Sequence, residues 1–342
     1  MKKIYLLLLI CIPMSMAAQS DTLNKTDNQG RKQGYWKKYE KGTLVYEGRF
    51  VNDAPVGILT HYYTNGKIKS KSNFLSDKHK VEATFYDEQG KKASEGLFID
   101  QQKEGEWKYY GDKENVVKIE NYKDGKKEGV WKTFSNQTAA LLKEEYYKNN
   151  KLNGPRITYF ANGDTNTVSS YIDGHAHGKY TSFYPDKKIS YHGIYHNDKK
   201  TGTWDYYDVD GKQRKAVEYK DDIPNKIYLY FYHGSAAQKL EQSSIAYIRK
   251  LDERKTEITL YSDKKIVFND SYESIFNWLD MLDFCHISPS FSAAYDAVKG
   301  YTKRDKESIF VKLLPKPNFD VIAKGDYAKI IMGLFDTSRP KE

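Results

Sequence analysis

The stretch Ile189-Ser190-Tyr191-His192-Gly193-Ile194-Tyr195-His196-Asn197-Asp198-Lys199-Lys200-Thr201-Gly202-Thr203-Trp204 decides the fold. A β-rich run, Ile189 to Tyr195, passes through a polar loop to a glycine. Two residues later comes a tryptophan, and three after that the aromatic Tyr207. Gly202 is the last of a series, Gly34, Gly57, Gly105, Gly129, Gly154, Gly178 and Gly202, spaced by 23, 48, 24, 25, 24 and 24 residues. The interval of 48 is two beats with one glycine lost near Lys80 and Val81. A fixed period of that length means one small structural unit copied in series, each copy stabilised by its neighbours.

Every beat has the same content. Five residues after each glycine stands a ring: Tyr39, Tyr62, Tyr110, Phe134, Tyr159, Phe183 and Tyr207. Two residues after it come Trp36, Leu59, Trp107, Trp131, Arg156, Tyr180 and Trp204, so four of the five tryptophans share one position. Turn dipeptides follow, such as Asn65-Gly66, Gln89-Gly90, Asn162-Gly163 and Asp210-Gly211, and then a second extended run. Two β-rich runs bounded by turn residues read as a β-hairpin. The rings and glycines are thus expected to serve as packing and turn residues, with the tryptophans packing between units. Cross-strand ring pairs of roughly 0.2 to 1 kcal/mol each would hold a sheet that has no second layer.

Tyr46-Glu47-Gly48-Arg49-Phe50-Val51-Asn52 leading to Gly57, and Tyr191-His192-Gly193-Ile194-Tyr195-His196-Asn197 leading to Gly202 and Trp204, resemble the MORN repeat. The version is similar to the bacterial MORN-variant proteins labelled YwqK-type antitoxin components. The resemblance covers about residues 28 to 232, eight units and a fading ninth, and its family label implies an antitoxin-like role. Neutralising a cytoplasmic toxin conflicts with export, so such a role would require an envelope or secreted toxin.

The expected fold is therefore mainly β: an elongated single-layer sheet of eight to nine tandem hairpins over 34–235, followed by a small α+β domain over 236–342. A polar leader, 19–33, would drape over the first sheet edge. In the C-terminal segment, Asp270-Ser271-Tyr272-Glu273 reads as a capping box opening a helix from Ser271 to Phe284. A second helix is expected from Pro289 to Lys299, with Gly300 as its stop. Strands are expected at Ile245 to Leu251, Glu257 to Tyr261, Lys265 to Phe268 and Ser308 to Leu314, and a helix at Asp326 to Phe335.

Lys2 and Lys3 precede an apolar run from Ile4 to Met14, and small residues follow, the pattern of a secretory signal peptide over 1–18. Cleavage near Ala17 or Ala18 would leave an exported chain, periplasmic or secreted, with one cysteine, Cys285, and no intrachain disulfide. The formal net charge of +9 would fall to +7. Lysines interleave with acids throughout, without the concentrated basic block that grips nucleic acid.

Catalytic patterns fail in place. Ser262-Asp263-Lys264-Lys265 and Lys200-Thr201-Gly202 match penicillin-binding signatures in reversed order, with Ser262 in an expected hairpin turn. His175, His177, His192 and His196 cluster in sequence, but without the cysteines or acidic residues at metal-ligand spacing. Asp208-Val209-Asp210-Gly211 begins like a calcium loop, yet its glycine comes two residues early. No catalytic residue, metal or cofactor is expected. The expected function is a non-enzymatic scaffold with a protein partner at the cell envelope, whose Lys37, Lys108 and Lys132 face away from the tryptophans. The alternatives are binding of envelope glycan by tyrosine platforms, weak attraction to anionic lipid, and an antitoxin-like role; nucleic acid is not an expected partner.

Overall fold

The computed structural model describes residues 23–77, 79–279 and 282–335. The expected signal peptide and the last seven residues lie outside them. The chain forms two compact units, one running to Gly129 and including Phe134–Ala139, the other comprising Val130–Thr133 and everything from Ala140.

The first unit is a succession of antiparallel strands, Lys32–Glu40, Thr43–Val51, Ala54–Tyr62, Ile68–Phe74, Lys80–Tyr86, Lys92–Ile99, Gln102–Tyr110 and Val116–Lys123. Each pairs with the next. Within the leader, Lys25–Thr26 pairs with the outer edge of the first long strand, covering backbone groups that would otherwise recruit another chain. The repeat that lost its glycine still forms a strand, Lys80–Tyr86.

The second unit continues the pattern from Leu141–Lys148 to Ile223–His233, and Ala236–Glu241 folds back on that last strand. The fading ninth repeat is therefore a complete hairpin.

Two kinds of turn alternate, and the tighter kind is not the one expected. Asn52-Asp53, Asp173-Gly174 and Asn197-Asp198 have positive φ at both residues, the two-residue turn whose twist matches that of the strands it joins. The expected turn dipeptides Asn65-Gly66, Gln89-Gly90, Asn162-Gly163 and Asp210-Gly211 are looser: only the glycine is left-handed, as at Gly66 with φ 82°, after a turn closed by Gly66 N–H to the Tyr63 carbonyl.

The timed glycines, expected in turns, lie inside strands. At Gly202 the registered pairs run His192–Asp205 and then Ile194–Thr201, so one residue faces three. Such a bulge bends the strand and requires left-handed backbone, which Gly202 supplies with φ 63°. The same shift accompanies Gly57, Gly105, Gly154 and Gly178.

The C-terminal segment holds a five-stranded antiparallel sheet, a three-stranded sheet and two helices, α1 (Tyr272–Phe276) and α2 (Gly325–Phe335). The strands Ile245–Asp252, Lys255–Leu260, Lys265–Phe268 and Ser308–Leu313, together with α2, lie where the sequence predicts them. The helix expected over 271–284 is only α1. Its N-cap is Ser271, whose hydroxyl accepts from Ser274 N–H, because Asp270 is engaged by Arg214 at 3.0 Å. The helix expected over 289–299 is instead the strand Phe291–Ala294, a short 3-10 turn and the strand Val298–Lys303. Phe291, Ser292, Ala293 and Ala294 are all buried in a strand paired on both sides. Its two buried faces erase the alternation that would have marked it.

One core spans this segment and the last hairpin. Leu229 and Phe231 belong to the same buried cluster as Ile245, Ile258, Phe268 and Ile287, and Phe231 stacks on Phe268 at 4.4 Å. The core of the small domain expected over 236–342 thus draws in two residues from the repeats, Leu229 and Phe231.

Candidate functional site

The tryptophan side is a packing seam. In the first unit, Trp107 is 1% exposed and its indole covers Gly96, where a Cβ would fall 2.3 Å from the ring. In the second, Trp204 is 0% exposed and covers Gly193 in the same way, at 2.2 Å. Their Nε1 groups donate to the carbonyls of Leu97 and Ile194. The glycine of Tyr-x-Gly is thus a seat for a ring. In the first unit's first repeats, Leu59 takes the same seat over Gly48, while the half-buried Trp36 donates to Lys25 O at 3.0 Å. Trp131, also buried, packs against Tyr147 at 5.0 Å.

A lysine clamps these rings. Lys103 Nζ lies 4.4 Å from the centroid of Trp107, 5.2 Å from Tyr109 and 5.0 Å from Tyr122, and burial pushes its pKa down. Lys32 and Lys200 stand likewise over Trp36 and Trp204, a cation–π geometry. The sequence carried this signal unread. Lysine precedes the timed glycine by two residues where tryptophan follows it by two: Lys32, Lys103, Lys127 and Lys200. Where Leu59, Arg156 or Tyr180 follows, the residue is Pro55, Leu152 or Ala176.

Beside Trp107, Glu120 is only 4% exposed. Burial works to raise its pKa, but hydrogen bonds from Lys118, Tyr122 and Tyr109 outweigh it and hold the carboxyl ionised.

The opposite side is built differently. Tyr62 donates to Glu47 at 2.5 Å, and Glu47 also pairs with Lys37 at 3.1 Å, so one cluster crosses three strands. Tyr110 bonds Glu95 in the same way. In the second unit, Tyr159 donates to Glu144, which pairs with Lys132 at 3.2 Å, and Tyr207 meets His192 at 3.1 Å. The rings five residues after the glycine that are phenylalanines, Phe134 and Phe183, have Ile119 and Val168 fifteen residues upstream in place of Glu or His. Tyr39 is 56% exposed. The lysines expected to face away from the tryptophans are paired: Lys37 and Lys132 with the glutamates named, and Lys108 with Glu106 at 3.3 Å. Ile58 and Ile194 stand among these groups, 60% and 48% exposed.

The remaining sequence candidates occupy ordinary structural positions. His175 pairs with Asp198 at 2.6 Å and His177 lies 4.9 Å from the ring of His196. Among the described residues no group of three or more His, Cys, Asp or Glu could hold a metal ion. Asp208 caps its own turn by accepting from Asp210 and Lys212 N–H and anchors Arg214 at 2.7 Å. Lys200, Thr201 and Gly202 lie in a strand, and Ser262 in a turn. Cys285 is buried, which pushes its thiol up to about 11.

The family model of the MORN repeat variant matches residues 55–75 and 176–197, each a pair of strands around one turn, Asn65-Gly66 in the first and Asp186-Lys187 in the second. No curated protein matches the chain. Among solved structures, the LytTr DNA-binding domain of a putative methyl-accepting/DNA response regulator from Bacillus cereus is similar, with a TM-score of 0.27. It is 13% identical over 32% of this chain and 96% of that one. TarM is similar over 28% of this chain, at 17% identity and a TM-score of 0.21, and the chain spans only 20% of TarM.

Proposed function

We propose that this chain, which carries MORN repeat variants, is a non-enzymatic, exported scaffold that holds a protein partner on the side of its hairpins opposite the tryptophans. One contrast carries the reading. The tryptophan side is spent on internal packing, whereas the opposite side repeats a fixed tyrosine–carboxylate–lysine cluster with exposed isoleucines between. Rings and charges held in place lose little freedom on binding, which favours a preorganised protein contact. Because Lys37, Lys108 and Lys132 are paired with glutamates, this side offers a partner matched charges at those positions, which disfavours simple attraction to anionic lipid. The tyrosines of the tryptophan side stack face to face, Tyr180 on Tyr191 and Tyr191 on Tyr206, which leaves few ring faces as a platform for a long glycan. The charged and apolar pattern at the N-terminus supports export, and sequencing the mature N-terminus checks it.

A photoreactive residue placed at Ile58 or Ile194 in the full chain tests the reading. Each position should capture a protein in cells, a probe at His61, whose ring packs 5.7 Å from Tyr46 on the tryptophan side, should not, and Glu47→Lys should abolish capture at Ile58. Equal capture from His61, or none from either isoleucine, contradicts it.

A further inference from the structure

The second unit contains a cleft of about 280 Å³ where its tyrosine row stops, walled by Tyr206, Tyr219, Pro224, Ile227, Asn277 and Trp278. Along the row, Tyr180 stacks on Tyr191 at 5.5 Å and 18°, and Tyr191 on Tyr206 at 5.6 Å and 21°. The next strand places Lys215 opposite Tyr206, so no further ring continues the stack. The far wall comes from the end of α1, where Asn277 is the C-cap.

Trp278 differs from the repeat tryptophans in one respect. Trp36, Trp107 and Trp204 each donate Nε1–H to a carbonyl, whereas the half-buried Trp278 makes no side-chain hydrogen bond among the described residues. The neighbouring Asn277 amide makes none either. Lys215 also lines the cleft, so the indole N–H, the amide and a lysine side chain stand beside the rings and Pro224 and Ile227, and together they select a guest with acceptor oxygens on its rim and C–H groups on its face. An aromatic hydrocarbon would cover the wall but leave the indole N–H and the amide unpaired, which is costly.

We propose that this cleft binds a single pyranose ring of a glycan, seated on the Tyr206 and Tyr219 rings, with hydroxyl or acetamido oxygens accepting from Trp278 Nε1 and the Asn277 amide. The size admits one sugar ring and no more, below the usual range for drug-sized ligands. The site is independent of the isoleucine positions above, so failure here leaves the scaffold reading standing, and the reverse.

The test is saturation-transfer NMR on the full folded chain with N-acetylglucosamine and glucose as probes, and indole as a competitor. Transfer to sugar protons is expected, with affinity weakened about tenfold or more, some 1.4 kcal/mol, in each of Trp278→Phe, which keeps the packing, and Asn277→Ala, which alters an exposed side chain. Absence of transfer from both sugars, an affinity that either variant leaves unchanged, or indole binding more tightly than both sugars overturns the proposal.

Discussion

The indole of Trp204 lies so close over Gly193 that a methyl carbon on the glycine would fall 2.2 Å from the ring. Gly193 has no left-handed backbone to explain it; the ring above it is the whole reason for the glycine. Gly193→Ala should therefore lower the melting temperature of the full chain, at a cost of about 3 kcal/mol. Gly48→Ala, where the nearest obstacle is the movable Leu59 Cδ1 at 2.8 Å and the backbone Ile58 O and Leu59 Cα stand at 3.1 Å, should cost less, about 1 to 2 kcal/mol. In a Trp204→Leu background the Gly193→Ala penalty should shrink toward the Gly48 value, read from paired melting curves.

The Tyr62–Glu47 contact and its apolar counterpart, Phe183 with Val168, make a double-mutant cycle informative. Glu47→Val alone removes the acceptor of the Tyr62 hydroxyl and should destabilise by about 1 to 2 kcal/mol. Adding Tyr62→Phe should recover most of that loss, because the pair then copies a combination the chain already uses. Additive losses in denaturant unfolding would show that the two residues do not act together.

Acid and alkali should loosen the repeats from opposite ends of the same contact. Hydrogen bonds from Tyr62 and Tyr110, followed by lysine contacts, hold Glu47 and Glu95 below the ordinary value of 4.5. Their contribution is full above that value and is lost as pH falls through the lower folded-state pKa. Burial, and then the adjoining carboxylate, pushes Tyr62, Tyr110 and Tyr159 up to about 12 from 10.0. Their contribution is full below 10 and is lost as pH rises toward 12. A plateau in melting temperature between about pH 5 and 10, falling on both sides, is expected. In Tyr62→Phe the alkaline fall should soften.

Leu229 fills the core of the C-terminal segment although it sits in the last repeat strand. Leu229→Ala should open that core by about 2 kcal/mol or more. The buried thiol of Cys285 reports the opening, and its labelling by a thiol reagent should speed up roughly 30-fold. Unchanged labelling would mean that the core closes without the repeat strand.

The repeat was legible because its period is imposed by geometry: a bulge needs left-handed backbone, and glycine supplies it at Gly57, Gly105, Gly154, Gly178 and Gly202. What the glycines do was less legible. Their spacing announces a recurrent backbone shape without saying whether it is a turn or a bulge, and the tight turns fell on Asn-Asp pairs read as plain loops. Lys32, Lys103 and Lys200 share a strand with the tryptophans they cover, but the rings that complete each clamp, Tyr46, Tyr122 and Tyr219, lie on the next strand, out of reach of a spacing rule. In the C-terminal segment, Phe291 to Ala294 imitated a helix because burial on both faces leaves a strand without alternation. On the tyrosine–carboxylate side, the pairing of Tyr159 with Glu144, fifteen residues apart, was hidden by the hairpin between them.

Amide hydrogen exchange on Gly96→Ala, compared with the unaltered chain, asks whether neighbouring hairpins hold one another through the tryptophan seam. Faster exchange should appear in the strands Lys92–Ile99 and Gln102–Tyr110 and fade with distance through the adjoining hairpins, while the sheet around Ile248 and Ile258 keeps its protection. Unchanged exchange around Trp107, or a uniform rise across every strand of the chain, would contradict a ladder of hairpins stabilised unit by unit.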